Sequence, residues 1–507
     1  MASELKQHQP VKQEFVASEE GGVAVRFERF DVEDPSLGWP KWKRYRTAVI
    51  AMLVTYLSAF NASANGAASG GFIKEHPVTS EVFQTSSFTY LAMLGIGPLI
   101  LAPVSETFGR RPQLVICTFV IMVLFLGMAL APNIYSLVFT RLVQGTAACI
   151  EGPTAAGVVA DLWPKNVRGI PMGFFVLSVF TANATGPVTM NWVAQNLNWH
   201  WVYWIQMMSN GACFVLCLFF FPETRGEVIL RKRCKTLTAE TGRPHYVEGA
   251  DVFEGWFEAI KISCARPLLY LFTEPIVTAL ALWVGFAWGM VFLFIGSIVH
   301  VFRETYGFSQ GQGGTVLICG FIGAFVGCLT NIFIQDPLFR RHVVQGGGKA
   351  KPEVRLYSSA IGSILFAAGC FCFGWTARPW IHWIVPCIFI SLANVGIYTI
   401  YLATYNYIAD VYMQYSSSGQ AAQSLLRNIL GATFPFFGVI MYDNLGFPIA
   451  STVVGAIAAA FIVVPWTLIF FGERLRARSK IAIALSQQEG EILSEEPDVH
   501  THGTNIA

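Results

Sequence analysis

Glu151 stands inside an apolar run, with Ile150 before it and Gly152-Pro153 after it. A charge at the centre of a hydrocarbon layer costs about 2.5–3.5 kcal/mol on insertion scales, so such a residue needs a partner or a wet cavity. A carboxyl in apolar surroundings also trades its charge for a proton more readily than a solvated one. Glu151 is therefore a candidate proton carrier or a counter-charge for a cationic substrate. The plainer reading is a carboxyl that only hydrogen-bonds between helices. Ten positions earlier in the same run is Arg141, with Gln144 three residues on and so near its face of a helix. Ten residues correspond to about 80° around a helix, so Arg141 and Glu151 are not expected to pair directly.

Uncharged candidates recur at helical spacing. Asn61 and Asn65 are four apart, Asn183 and Asn191 eight apart, and Asn394, Tyr398, Tyr401 and Tyr405 form one stripe. Trp283 and Trp288 share another apolar run. Polar atoms avoid lipid, so these residues, with Gln144, are read as lining an interior cavity that takes a small-molecule substrate. The alternative for each is packing or a helix-to-helix hydrogen bond. His300 reads as interfacial. Most of the 11 cysteines lie in apolar runs and read as packing residues; Cys213 and Cys217 share a helix face, with no His or carboxylate expected near them. There is no Ser/His/Asp set, no metal-ligand spacing and no phosphate-cradling Gly-rich loop. No cofactor, no metal and no direct drive by ATP are expected, nor is an enzyme.

A bundle of membrane helices could position these residues. Only 13% of residues are charged, against roughly 25% in soluble domains. Hydrophobic residues make up 54%, and mean hydropathy is +0.50. A net charge of +2 provides no global field for nucleic acid. Crossing a bilayer takes about 20 apolar residues. Runs of that kind predict spans at 47–69, 86–104, 113–131, 135–160, 170–194, 201–221, 273–301, 312–335, 357–377, 381–408, 420–442 and 448–471. A lone strand cannot satisfy its backbone in lipid, so sheet is excluded from them. The expected fold is an all-α polytopic membrane protein, its twelve transmembrane helices in two pseudo-symmetric six-helix halves. Residues 1–46 read as a largely disordered tail, 47–221 as the first half, 222–272 as a central loop, 273–471 as the second half and 472–507 as a second tail. The first of these segments has no apolar core, so no cleavable signal peptide is expected.

Basic residues decide the orientation. One side of the predicted bundle carries Lys41, Lys43, Arg44, Arg46, Arg110, Arg111 and most of the remaining Lys and Arg near span ends; the other carries only Lys74, Arg303 and Arg378. Both termini are thus expected in the cytosol. The expected site is the plasma membrane, with a vacuolar or other internal membrane as the alternative, and a monomer is expected. The two halves also share a pattern: Glu106-Thr-Phe-Gly-Arg110-Arg111 follows the second span and Asp336-Pro-Leu-Phe-Arg340-Arg341 the eighth. Related halves are common among transporters.

The segment Pro103-Val-Ser-Glu106-Thr-Phe-Gly109-Arg110-Arg111-Pro112 resembles the signature loop of the major facilitator superfamily. Arg141-Leu-Val-Gln144-Gly145, Ala160-Asp161-Leu-Trp163, Gly186-Pro187, Pro222-Glu223-Thr224 and Phe434-Pro435 follow in the family's order. Over roughly residues 34–480 the chain is similar to fungal twelve-span drug/proton antiporters. The resemblance implies the major facilitator fold and proton coupling through Arg141. It also implies an inner gate of Glu106, Arg110 and Arg111 with Asp161 as partner, and its second-half counterpart in Asp336, Arg340 and Arg341. One departure stands out: the family's fifth-span motif continues Gly-Pro-x-x-Gly-Gly, whereas Met190-Asn191 follows here. Arg427 and Asp410 read as an interhelical structural pair. The expected function is proton-coupled export of a small organic molecule, such as a secondary metabolite, toxin or drug, by alternating access. A proton symporter importing a nutrient or organic ion is the alternative, and a membrane-embedded enzyme or sensor the remote one.

Overall fold

The computed structural model describes residues 23–25, 34, 35, 38–163, 167–247, 256–346, 351–412 and 416–477; the side chains of 23, 24, 102–107, 256–259 and 262 fall outside that description. Glu106 is among the latter. The first half runs through α1 (Lys41–Ala64), α2 (Ser69–Glu75), α3 (Ser80–Phe108), α4 (Arg110–Ala129), α5 (Ile134–Ala148), α6 (Glu151–Leu162), α7 (Gly169–Asn196) and α8 (Trp199–Phe220). Next come α9 (Gly226–Thr241) and α10 (Trp256–Thr273). The second half holds α11 (Pro275–Tyr306), α12 (Gln310–Val316), α13 (Ile318–Thr330), α14 (Asp336–Gln345), α15 (Tyr357–Thr376), α16 (Ile384–Tyr412), α17 (Ser416–Leu445), α18 (Phe447–Ala460) and α19 (Val463–Arg476). Among the described residues, ten helices are long and apolar enough to cross a membrane. The 29-residue α3 and the pair α5–α6 stand where the second and fourth spans are expected.

Proline accounts for the interruptions. The fourth span was expected to be continuous, yet it breaks at Cys149 and Ile150. Pro153 has no N–H for the Cys149 carbonyl four residues back, and its ring crowds that carbonyl. Pro465 does the same to Phe461, where α18 gives way to α19. Before Pro337 the chain widens into a π-helical turn over Asn331–Gln335, which absorbs the missing bond at Phe333 without ending the span. Between α3 and α4, Gly109 has φ +91°, a conformation that side chains with a Cβ resist, and it turns the chain back sharply.

Helix packing repeats with an offset of half the chain. In the first half α1 packs on α7, α3 on α5 and α4 on α8; in the second, α11 packs on α17, α13 on α16 and α15 on both α16 and α18. The halves meet through α3 against α17 and α7 against α12 and α13. Large apolar side chains such as Ile116, Phe119, Val123, Phe139, Phe219, Phe333 and Phe470 are exposed on the outside of the bundle, the surface that lipid covers.

The expected loop and tail hold more structure than the sequence suggests. Val23–Val25 forms a short strand, β1, pairing in parallel with β2, His245–Val247. Val25, Val247, Leu230 and Cys234 bury one another beside α9. The 1–46 segment was expected to be largely disordered; within it, α1 already begins at Lys41, and Trp39 is buried with the Lys43 ammonium 3.7 Å over its ring. A cation resting on an aromatic face is a sufficient local cause.

Candidate functional site

Three polar layers cross the bundle. The innermost lies on the face rich in basic residues. Gly109 starts α4 so that the Arg110 and Arg111 backbone N–H groups donate to the two Glu223 oxygens, each at 3.0 Å. A carboxylate at a helix N-terminus satisfies otherwise orphaned donors and faces the positive end of the dipole. The Arg110 side chain donates to Asp161 through Nε at 2.6 Å and Nη2 at 3.2 Å, and to the Thr154 carbonyl at 3.3 Å. This guanidinium lies over Gly157, where any side chain would overlap it. In the second half Arg355 Nε donates to Asp410 at 2.9 Å with the guanidinium over the Phe339 ring, and Arg476 pairs with Glu353.

Asp410 therefore pairs with Arg355, not with Arg427 as the sequence suggested. Asp336 pairs with Arg340 at 2.8 Å, and its carboxylate also closes against Gly169, the first residue of α7 in the opposite half. Arg341 is exposed. The Arg110–Asp161 pair ties helices within one half, whereas Asp336 touches the seam between halves.

The middle layer contains a buried network in the first half. Arg141 is fully buried; it donates to Gln144 Oε1 and to the Asn61 carbonyl, both at 3.0 Å, and lies 4.8 Å over the Tyr90 ring. Asn61 exchanges amide contacts with Asn210 at 3.3 Å. Asn65 donates to Ser86 and Ser87 and accepts from the Tyr203 hydroxyl at 2.9 Å. Asn61, Asn65 and Gln144 were expected at the substrate cavity; their hydrogen-bond partners all lie inside the first half. Glu151 is 2% exposed at the start of α6. Ser58 hydrogen-bonds its carboxylate, and Cys213 and Cys217 lie within its electrostatic reach. The expectation of no carboxylate near those cysteines fails because the fold brings Glu151, distant in sequence, within reach of them. Tyr90 donates to the Ser58 carbonyl at 3.0 Å. Arg141 and Glu151, which do not pair, are thus joined by way of Tyr90 and Ser58. The cysteines are free thiols, most of them buried.

At similar depth the halves meet around Phe180 of α7. Its ring packs against Trp288 of α11 at 5.7 Å and against Tyr398 and Tyr401 of α16 at 5.6 and 6.0 Å. Tyr398 donates across the seam to the Gly173 carbonyl at 2.9 Å. Arg427 of α17 stacks on Trp288 and Tyr401, with centroid distances of 5.2 and 4.9 Å, and donates to the Tyr401 hydroxyl. Phe180 also walls a cavity of about 20 Å³ shared by Asn183, Asn394, Val291 and Leu317, room for about one water. Asn183 and Asn394 are brought together there. Trp283 is fully buried, its indole N–H unpartnered. Tyr405 lies within electrostatic reach of Arg427, Arg168 and Arg110.

The outer layer seals the opposite end. Gln310 donates to Asn191 Oδ1 at 3.1 Å and to the Ala67 carbonyl at 3.2 Å. Trp192 Nε1 donates to Thr315 Oγ1 at 2.8 Å, and the Gly311 N–H to Gln195 Oε1 at 2.7 Å. Asn191, expected in the cavity, belongs to this seal. His300 is at the same end, 2.7 Å from Asp443. The halves thus touch at both ends, through Asp336 and Gly169 on the basic side and through Gln310, Trp192 and Gln195 on this one.

Known proteins fit this arrangement. The Major Facilitator Superfamily profile matches residues 48–435. The chain belongs to the major facilitator superfamily. The MFS-type transporter paaT of Penicillium rubens is 30% identical over 95% of this chain and 87% of its own length. Efflux pump FUB11 of Gibberella moniliformis is 30% identical over 87% of this chain and 75% of its own. The MFS-type efflux pump MFS2 of Trichophyton rubrum is 31% identical over 87% and 74%. In fold, the chain is similar to the Escherichia coli xylose transporter XylE in a partially occluded inward-open conformation. The TM-score is 0.59 at 15% identity, covering 84% of this chain and 99% of that one. The protein is a multi-pass membrane transporter of this superfamily, whose business is moving small molecules rather than catalysis.

Sequence reasoning missed several residues that the geometry brings forward. Glu223 was visible within Pro222-Glu223-Thr224 but not as the acceptor of two α4 amides. Gln310 sits in Gln310-Gly-Gln-Gly-Gly, where the glycines signal close approach. Phe180 is apolar among apolar residues and carried no signal.

Proposed function

We propose that this transporter is a proton-coupled exporter of small organic molecules, working by alternating access between two six-helix halves with the basic face toward the cytosol. The observation that carries the reading is Glu151. It is a fully enclosed carboxyl about eleven residues from the inner end of its span, hydrogen-bonded to Ser58 and linked through Tyr90 to Arg141. A proton arriving there changes the charge inside the first half without touching the cargo. Both α7 and α1 pack together beside it, so that change acts on the helix that carries Phe180 and the outer seal. The efflux pumps among the relatives support the outward direction.

The test is Glu151→Gln in inverted membrane vesicles with an imposed pH gradient. The amide keeps size and hydrogen bonding but cannot titrate. Substrate binding should persist while proton-driven uphill accumulation disappears. Unchanged pH dependence of transport would remove the proton-carrier role, and loss of binding in a folded protein would make Glu151 a counter-charge instead. Gradient-driven depletion of the vesicle lumen, in place of accumulation, would show symport import.

A further inference from the structure

The middle of the seam presents an excess of positive charge and of hydrogen-bond donors. Arg427 makes its contacts with neutral groups: the Tyr401 hydroxyl, Ser424 Oγ at 3.1 Å, and the faces of Trp288 and Tyr401. No carboxylate of the described residues pairs with it. Its Nε and the Trp288 Nε1 are both buried donors without an acceptor. Gly431, one turn beyond Arg427 on α17, lies against the indole edge that carries this N–H. The carboxylates nearby on the inner side are already engaged: Asp161 by Arg110, Asp410 by Arg355 and Asp336 by Arg340. Toward the inner face Tyr405 lies within electrostatic reach of Arg427, Arg168 and Arg110; Arg110 is paired with Asp161, so Arg168, beside the already engaged Asp161 and Asp410, is the positive charge added there.

A half-buried guanidinium with no carboxylate partner favours an anion, and the two donors left without acceptors favour a group that accepts hydrogen bonds. A carboxylate is such a group, and Arg matches it with a planar fork. Beside it stand Trp288 and Tyr401, with Phe180 packed on both, rings that favour a flat apolar body. Arg168 on the inner approach would raise the local concentration of such an anion before it reaches these rings. We infer that the central site takes organic monoanions, an aromatic or otherwise planar body bearing a carboxylate, with Arg427 as the residue that selects for the negative charge.

This inference rests on reading the seam as the transport site. Three isosteric probes test it: 1-naphthoate, 1-naphthamide and 1-naphthylmethylammonium. Binding is measured calorimetrically on the purified full-length protein in lipid nanodiscs. Naphthoate should bind at least tenfold more tightly than the amide or the cation. Arg427→Gln should abolish that preference while changing amide affinity less than twofold. If that variant does not fold, Arg427→Lys should keep the order naphthoate over cation with reduced affinity, and Trp288→Phe should weaken naphthoate several-fold and leave the cation unaffected. Equal affinities, tighter binding of the cation, no binding of naphthoate, or a preference that survives in folded Arg427→Gln each overturn the assignment. Flux in inverted vesicles keeps the two readings apart. Anion-selective binding with inward transport overturns export and leaves the site standing. Outward flux without anion preference overturns the site and leaves export.

Discussion

Gly157→Ala is a one-methyl perturbation of the inner layer, and its sign is set by competing effects. In a helix interior, alanine is favoured over glycine by up to about 1 kcal/mol. At this position, however, the Arg110 guanidinium occupies the space where the methyl would go. The guanidinium ends a flexible side chain, so it can swing aside; the clash itself is cheap. The cost is the geometry it leaves. Arg110 and Asp161 make a two-pronged pair at 2.6 and 3.2 Å with side chains only 10% and 20% exposed. A hydrogen bond to a charged group contributes about 1.5–3 kcal/mol. Losing one prong outweighs the helix gain, for a net loss of about 0.5–2 kcal/mol. The assay is the thermal unfolding midpoint of the purified protein in one detergent, with two controls. Gly152→Ala, on the same helix with open space around it, should melt at or above the parent. In an Arg110→Ala background, Gly157→Ala should no longer destabilise, a coupling that a double-mutant cycle isolates. A Gly157→Ala protein that melts at or above the parent with Arg110 present would refute the reasoning.

Three further outcomes follow from the other layers. Glu223→Ala should lower the unfolding midpoint by an amount corresponding to about 1–2 kcal/mol, because two α4 amides lose their acceptor; Glu223→Gln, which still accepts, should cost less, and equal melting of all three proteins counts against the cap. Gln310→Ala removes two donations across the outer seal, about 0.5–1.5 kcal/mol each, so Thr315→Cys in that background should react several-fold faster with an impermeant thiol reagent than Thr315→Cys alone. Tags at residues 1 and 507 should resist external protease in intact cells; cleavage of either from outside would break the orientation drawn from the basic residues.

The membrane helices were legible because hydropathy over a span is a sum that tolerates local error. Orientation was expected from the same kind of sum over charges. What the sequence could not supply was depth and facing. The stripe Asn394, Tyr398, Tyr401 and Tyr405 was correctly placed on one helix, yet its members meet different things: a cavity, a backbone carbonyl of the other half, an arginine, and a cationic approach. A helical period fixes azimuth, not what stands opposite at each level. Asn61 and Asn191 show the converse. Each is polar within a span, but one joins the Arg141 network and the other the outer seal. Glu151 could be singled out from cost alone, while its tie to Arg141 needed Tyr90 from a different span.

The altered fifth-span motif also changes meaning once its neighbour is in view. Paired glycines in a helix let another backbone come close, and Met190-Asn191, taken in sequence alone, removes that allowance. The facing helix α12 supplies the missing space: Gly314 lies against the Asn191 side chain, where an added Cβ would stand 2.7 Å from the Asn191 Cβ, and Gly311 lies under the Trp192 ring. Close approach of α7 and α12 is therefore kept, with the small residues on the opposite side of the contact. The exchange also adds something glycine cannot provide, since Asn191 gives Gln310 an acceptor across the seam. The lost glycines on α7 therefore do not hold α12 away. The pair of helices, rather than the motif on one of them, is the unit that sets how firmly the outer end closes.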